Sequence, residues 1–100
     1  GINNNQTGII KGYALLQNYP NPFNPSTTIE YQLPENNPVK LVLYDISGKE
    51  VKTLVNEFKN KGSYTFNLNG DVTDKLSSGT YFYKLTAGSF TETKKLLLIK

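Results

Sequence analysis

The chain has 100 residues and a formal charge of +3, and it contains no His, Cys, Met, Trp or Arg. Those absences remove the commonest zinc, copper and iron ligands and the Ser–His and Cys–His pairs of nucleophilic catalysis. They also remove the arginine forks that read guanine, so basicity carried by scattered lysines reads as a solvated surface and not as a nucleic-acid site.

Residues 1–12, GINNNQTGIIKG, are rich in Asn and Gly and hold no lasting periodicity, so they read as a linker or frayed lead-in. Ile9 and Ile10 suffice for a short strand there, and Asn5-Gln6-Thr7 matches a glycosylation acceptor, a pattern short enough to recur by chance. The absence of an initiator Met reads as a piece of a longer protein.

From Tyr13 onward short strands alternate with turn signals. The first is expected over Tyr13–Asn18. It is closed by Tyr19-Pro20-Asn21-Pro22-Phe23-Asn24-Pro25, whose prolines lack backbone donors and exclude a central strand. Thr27–Leu33 alternates cleanly, with Ile29, Tyr31 and Leu33 on one face. Pro34–Pro38 reads as a loop and Val39–Ile46 as the most apolar strand, suited to a sheet centre. Asp45-Ile46-Ser47-Gly48-Lys49 is a hairpin turn in which Gly48 supplies a positive φ, followed by a strand over Lys49–Phe58.

Beyond the break at Lys61-Gly62, Tyr64, Phe66 and Leu68 alternate again, and Asn69-Gly70 signals another turn. Asp71–Ser78 is polar, with a helical turn expected around Asp74–Leu76. Gly79–Thr86 carries Tyr81, Tyr83 and Leu85 on one face; Gly88 repeats the turn chemistry of Gly48; and Ser89–Lys100 is the last strand. About seven strands and no sizeable helix give an all-β fold, an antiparallel β-sandwich of two sheets. Eight carboxylates leave an acid–base pair open by counting alone, but a sandwich this small offers little cleft for one.

Three segments in order carry a family resemblance: LQNYPNPFNPSTTIEYQLP (Leu16–Pro34), VKLVLYDISGKEVKTL (Val39–Leu54) and LSSGTYFYKLTAGSFTETKKLLLIK (Leu76–Lys100). Together they resemble the type A C-terminal sorting domain of type IX secretion cargo, over about residues 13–100, ending as such domains end, on a basic residue. The resemblance implies an immunoglobulin-like sandwich with no catalysis and no cofactor. It implies a cargo domain on the N-terminal side, transit through the periplasm, recognition by the outer-membrane type IX translocon, and delivery to the cell surface or medium. A sortase then removes the domain, near residues 1–12, or uses it for surface attachment. It implies neither nucleic-acid binding nor membrane insertion. The scaffold is also similar to the immunoglobulin-like module of flagellar hook-capping proteins, but Leu68-Asn69-Gly70-Asp71 departs from the Trp-Asp-Gly pattern usual there.

Positions matching the family's recurring residues are Pro20, Asn21, Pro22, Asp45, Gly48, Gly79, Tyr81, Gly88, Lys94, Lys95 and Lys100. Each has a plainer reading beside translocon recognition. The prolines shape a crossover and block edge pairing. Gly48 and Gly88 serve turns, and Gly79 with Tyr81 starts a strand whose tyrosine hydroxyl ties a corner. The lysines either present a positive edge to an acidic partner or deter aggregation of a terminal strand. Asp71 and Asp74, with Asn69, are oxygen donors of the kind calcium takes, although no EF-hand spacing is present. Two other functions remain: a carbohydrate-binding or spacer module of a secreted hydrolase, which needs an exposed aromatic platform, and an adhesive immunoglobulin-like repeat.

Overall fold

The computed structural model describes residues 12–100. The lead-in up to Lys11, including the Ile9–Ile10 pair and the Asn5 acceptor, lies outside the described residues.

Seven strands form two antiparallel sheets. They are β1 (Ala14–Leu15), β2 (Thr27–Leu33), β3 (Asn37–Tyr44), β4 (Glu50–Lys59), β5 (Gly62–Leu68), β6 (Gly79–Ala87) and β7 (Phe90–Leu98), with a single helical turn, α1 (Gly70–Thr73), between β5 and β6. The sheet orders are β1-β2-β5 and β4-β3-β6-β7. This is the all-β, immunoglobulin-like sandwich expected from the alternating pattern.

Period-two alternation builds the core. Ile29, Tyr31 and Leu33 of β2 face Val39, Leu41 and Leu43 of β3, Tyr81, Tyr83, Leu85 and Ala87 of β6, and Leu96 and Leu98 of β7, all buried in one cluster. Each Leu, Ile or Val among them contributes roughly 1.5–3 kcal/mol by leaving water. The sandwich therefore holds by aliphatic and tyrosine packing, with no disulfide.

Three elements depart from the sequence pattern. β1 keeps two residues and not six: past Leu15, Leu16 N still donates to Glu30 O of β2 at 2.9 Å, but Leu16 O accepts from Tyr83 Oη at 2.7 Å and Asn18 N donates to Tyr83 Oη at 2.7 Å, so the backbone turns to the other sheet. β3 starts at Asn37 and runs through Pro38, which pairs with β4 but lies beyond the reach of β6, so no ladder bond to β6 is lost. The helical turn comes at Gly70–Thr73, ahead of the expected Asp74–Leu76, because Asn69 acts as its N-cap and accepts from Asp71 N at 3.0 Å. The Asn-Gly signal was a cap as well as a turn.

The N-terminal half of β4 pairs with β3 through two register shifts. Between Leu41 and Val42 its partners jump from Val55 to Thr53, and between Leu43 and Tyr44 from Lys52 to Glu50. Leu54 and Val51 are thus extra residues, two bulges on an outer strand.

Candidate recognition surface

The proline-rich crossover, residues 19–25, connects β1 to β2 and is held by a buried polar knot. Asn18 and Thr27, 2% and 1% exposed, share a hydrogen bond of 3.0 Å, and both donate to Pro20 O, at 3.2 and 2.8 Å. The knot satisfies polar groups that would otherwise each cost about 1–3 kcal/mol to bury. The bonds before Pro20, Pro22 and Pro25 are cis.

From this knot the crossover runs along the free edge of β7. Phe23 N donates to Leu97 O at 2.9 Å, and Ile99 N donates to Phe23 O at 3.0 Å, a parallel bridge between Phe23 and Leu98. Asn21 Oδ1 accepts from Leu97 N at 2.9 Å, and Gln17 Nε2 donates to Lys95 O at 2.7 Å. The Phe23 ring, 2% exposed, anchors the segment in the core. Prolines cannot extend a ladder, so one backbone pair and two side-chain amides cover the edge instead. Asn21 and Pro22 with Thr80, Lys95, Leu96 and Leu97 line a depression of about 200 Å³. Leu97 and Ile99 beside it remain 37% and 48% exposed.

A second group gathers at the neighbouring end of the sandwich. The Asp45 carboxylate accepts from Ser47 N, Ser47 Oγ and Lys49 N at 2.9, 2.6 and 3.0 Å, and Gly48 adopts φ +88° to close the turn. The Ser47 hydroxyl first, then the Lys49 N–H, hold the Asp45 carboxyl below its usual range. Tyr81 Oη donates to Ser77 O at 2.7 Å, the corner tie expected at the start of β6. Gly79, at φ +155°, lets the chain enter β6. Asp45, Ser47, Ser77, Gly79 and Tyr81 surround a depression of about 280 Å³. Lys100 closes this end: its Nζ donates to Asp74 O and Leu76 O at 3.1 and 2.7 Å, and its backbone N to Ser78 Oγ. The ammonium neutralises carbonyls left over after α1.

Two sequence-matched residues stand apart. Gly88, at φ +60°, lies at the opposite end; that left-handed φ favours glycine, and a Cβ there would meet Asn37 Oδ1 at 2.7 Å, pressing that amide aside. Lys94 and Lys95 point to opposite faces: Lys94 pairs with Glu92 at 3.2 Å on the side of Leu96, whereas Lys95 faces solvent beside Leu97. Asn69, one of the oxygens considered for calcium, is occupied as a cap, and Asp74 O is taken by Lys100.

Gln17, Asn18, Phe23 and Tyr83 hold the surface together and were not singled out by pattern. Tyr83 alone offered a signal, as an inward tyrosine whose hydroxyl had to find a partner. Burial pushes its pKa up to about 12, against the opposing bond from Asn18 N. Of the aromatic rings, Tyr19 and Phe58 are the exposed ones, and they lie on different sheets: Tyr19 bridges to Thr28 of β2, and Phe58 sits on β4. That placement does not form a shared sugar platform.

A family model described as a secretion system C-terminal sorting domain matches residues 17–100, so the match spans both the crossover and β7. No curated protein matches the chain.

Proposed function

The chain belongs to the family of type IX secretion-system C-terminal sorting domains, and from that premise we propose that its export address is the composite surface where the proline-rich crossover lies against β7. A domain of this family marks cargo of type IX secretion for the cell surface or the medium. In the proposed reading, residues 13–100 are the sorting domain and residues 1–12 the lead-in joining it to an N-terminal cargo domain. The cargo waits in the periplasm, the outer-membrane translocon engages Pro20, Asn21, Pro22 and Lys95, and a sortase acts in the lead-in. Asp45, Gly48, Gly79, Tyr81 and Lys100 shape the adjoining end; Gly88 and Lys94 act through the fold. The domain contributes recognition and no bond chemistry.

The observation that carries this reading is the joining of two distant segments: Asn21 bonds Leu97 N across 76 positions, and both line one depression with Lys95. Exposed Leu97 and Ile99 beside a cation give the mixed apolar and charged character of a protein-binding patch.

The test uses a fluorescent reporter with a periplasmic signal fused ahead of the domain, in a host possessing the pathway. Deleting residues 94–100 is a poor probe, since it removes Leu96 and Leu98 from the core. Lys95→Glu and Leu97→Ser change the surface and leave the core. Reporter held in the periplasm, with the variant domain folded by circular dichroism, is the expected result. Undiminished surface delivery by both variants would sink the proposed address while leaving the family assignment intact.

A further inference from the structure

The outer face of the four-stranded sheet carries a pattern of which the proposed sorting surface uses only the β7 end. Because Val39, Leu41, Leu43, Tyr81, Tyr83, Leu85, Leu96 and Leu98 point into the core, alternation sends Lys40, Val42 and Tyr44, then Thr80, Phe82, Lys84 and Thr86, then Thr91, Thr93, Lys95 and Leu97 outward. In register, Lys40 lies opposite Thr86 and Lys84 opposite Thr93. Lys40, Lys84 and Lys95 therefore fall on one diagonal, each step crossing one strand and two residues, about 8 Å by strand spacing and rise.

The diagonal joins two depressions. At the Lys40 end one of about 330 Å³ is lined by Pro38, Lys40, Asn56, Thr86 and Gly88; at the Lys95 end lies the one of about 200 Å³ beside Asn21 and Pro22. Among the described residues the ion pairs are Lys59–Glu57 and Lys94–Glu92, so none of the three diagonal lysines is neutralised by a paired acid. The acid at the rim, Glu50 opposite Tyr44, accepts from Thr53 Oγ1 at 2.9 Å. Between Thr53 and Lys84, Val42 is only 4% exposed although it faces outward, so neighbouring side chains close over it.

We propose that this diagonal binds a linear anionic glycan lying obliquely across β3, β6 and β7. Charge complementarity sets the sign of the ligand, and the two depressions set its direction. β3 and β6 are both paired on each side, so over them an extended peptide gains nothing by strand addition and recognition falls to side chains. Lysines act as point charges on flexible stems and need no fixed bidentate partner. Thr80, Thr86, Thr91 and Thr93 offer hydroxyls that both donate and accept, matching a hydroxyl-rich chain. Phe82 presents an apolar ring between them. Over β3 and β6, away from the β7 patch, the face offers no Trp and no Arg, the anchors a protein partner uses.

The experiment titrates isotopically labelled 1–100 chain with polygalacturonate and with dextran sulfate, and follows amide shifts and affinity. Shifts concentrated on β3, β6 and β7, weakening as salt rises, are expected. Lys40→Glu with Lys84→Glu should lower affinity by about tenfold or more, whereas Lys52→Glu with Lys61→Glu, the same change in net charge, should alter it by less than about threefold. If the first pair unfolds, Lys40→Gln with Lys84→Gln replaces it. Equal losses in the two pairs would reduce the effect to net charge and overturn the site. So would binding of neutral dextran as strong as that of the anionic chains, or no binding of either anion. Tighter binding of poly-glutamate than of both glycans would assign the face to an acidic protein instead.

Discussion

The two outer edges of the four-stranded sheet are protected in opposite ways. At β7 the chain covers its own edge: Gln17, Asn21 and Phe23 take up Lys95 O, Leu97 N, Leu97 O and Ile99 N. At β4, ten residues long, no crossover among the described residues lies alongside; two bulges and the charges of Lys52, Glu57 and Lys59 stand in its place. Bulges and charges only make pairing unfavourable, whereas a strap occupies the bonding groups themselves. A strap also brings distant residues into one surface, which a bulge cannot. The edge that is covered is accordingly the edge where a recognition surface can be assembled.

The largest break in this contrast comes from removing the strap's anchor. Phe23→Ala should cost about 3–5 kcal/mol, the range for a fully buried aromatic, and turn β7 into a second open edge. Denaturant unfolding measures the first and light scattering the second. A loss below about 1 kcal/mol would mean that the polar knot alone holds the crossover.

Alkali attacks the seam from another side. Burial pushes Tyr83 and Tyr31 up to about 12 from 10.0. The unfolded chain gives up these protons above pH 10 while the folded chain keeps them, so stability is whole below pH 10 and falls as pH rises toward 12. The slope is about 1.4 kcal/mol per pH unit for each group. Tyr31→Phe should flatten the decline between pH 10 and 12, and an unchanged slope would show that Tyr31 titrates normally. Smaller still is the effect of Asn21. Asn21→Leu removes the acceptor at Leu97 N and should cost about 1 kcal/mol and speed exchange of that amide, while Asn21→Asp keeps an acceptor oxygen and should preserve protection. Equal exchange in both variants would argue that the amide cap contributes nothing.

On β4 the expected change in stability is the least. Lys52→Thr with Glu57→Thr, at exposed positions, should move stability by no more than about 0.5 kcal/mol, yet promote association seen by light scattering. A sample that stays monomeric would assign the protection of that edge to the bulges at Leu54 and Val51.

Much of the sandwich was legible because alternation is local. Ile29, Tyr31 and Leu33, the Asp45–Gly48 turn and the Tyr81 corner each follow from neighbours within a few positions, and the structure places each as expected. The seating of the crossover was not legible, because it depends on Asn21 and Phe23 finding β7, and no periodicity links residues so far apart. Prolines announced that the segment was not a central strand and were silent about which edge it covers. The opposite facing of Lys94 and Lys95 was in the pattern, since adjacent residues of a strand always diverge, and grouping them by charge obscured it.

If the proposed address is the surface read, the bond between Asn21 and Leu97 governs what an export machine learns on contact. Neither segment holds its half of the surface alone: the depression exists only after β7 has docked against β6 and the crossover has closed over it. A receptor that grips both halves thus tests conformation as well as sequence. Under the proposed address, an incompletely folded domain would carry every letter and still present nothing to read.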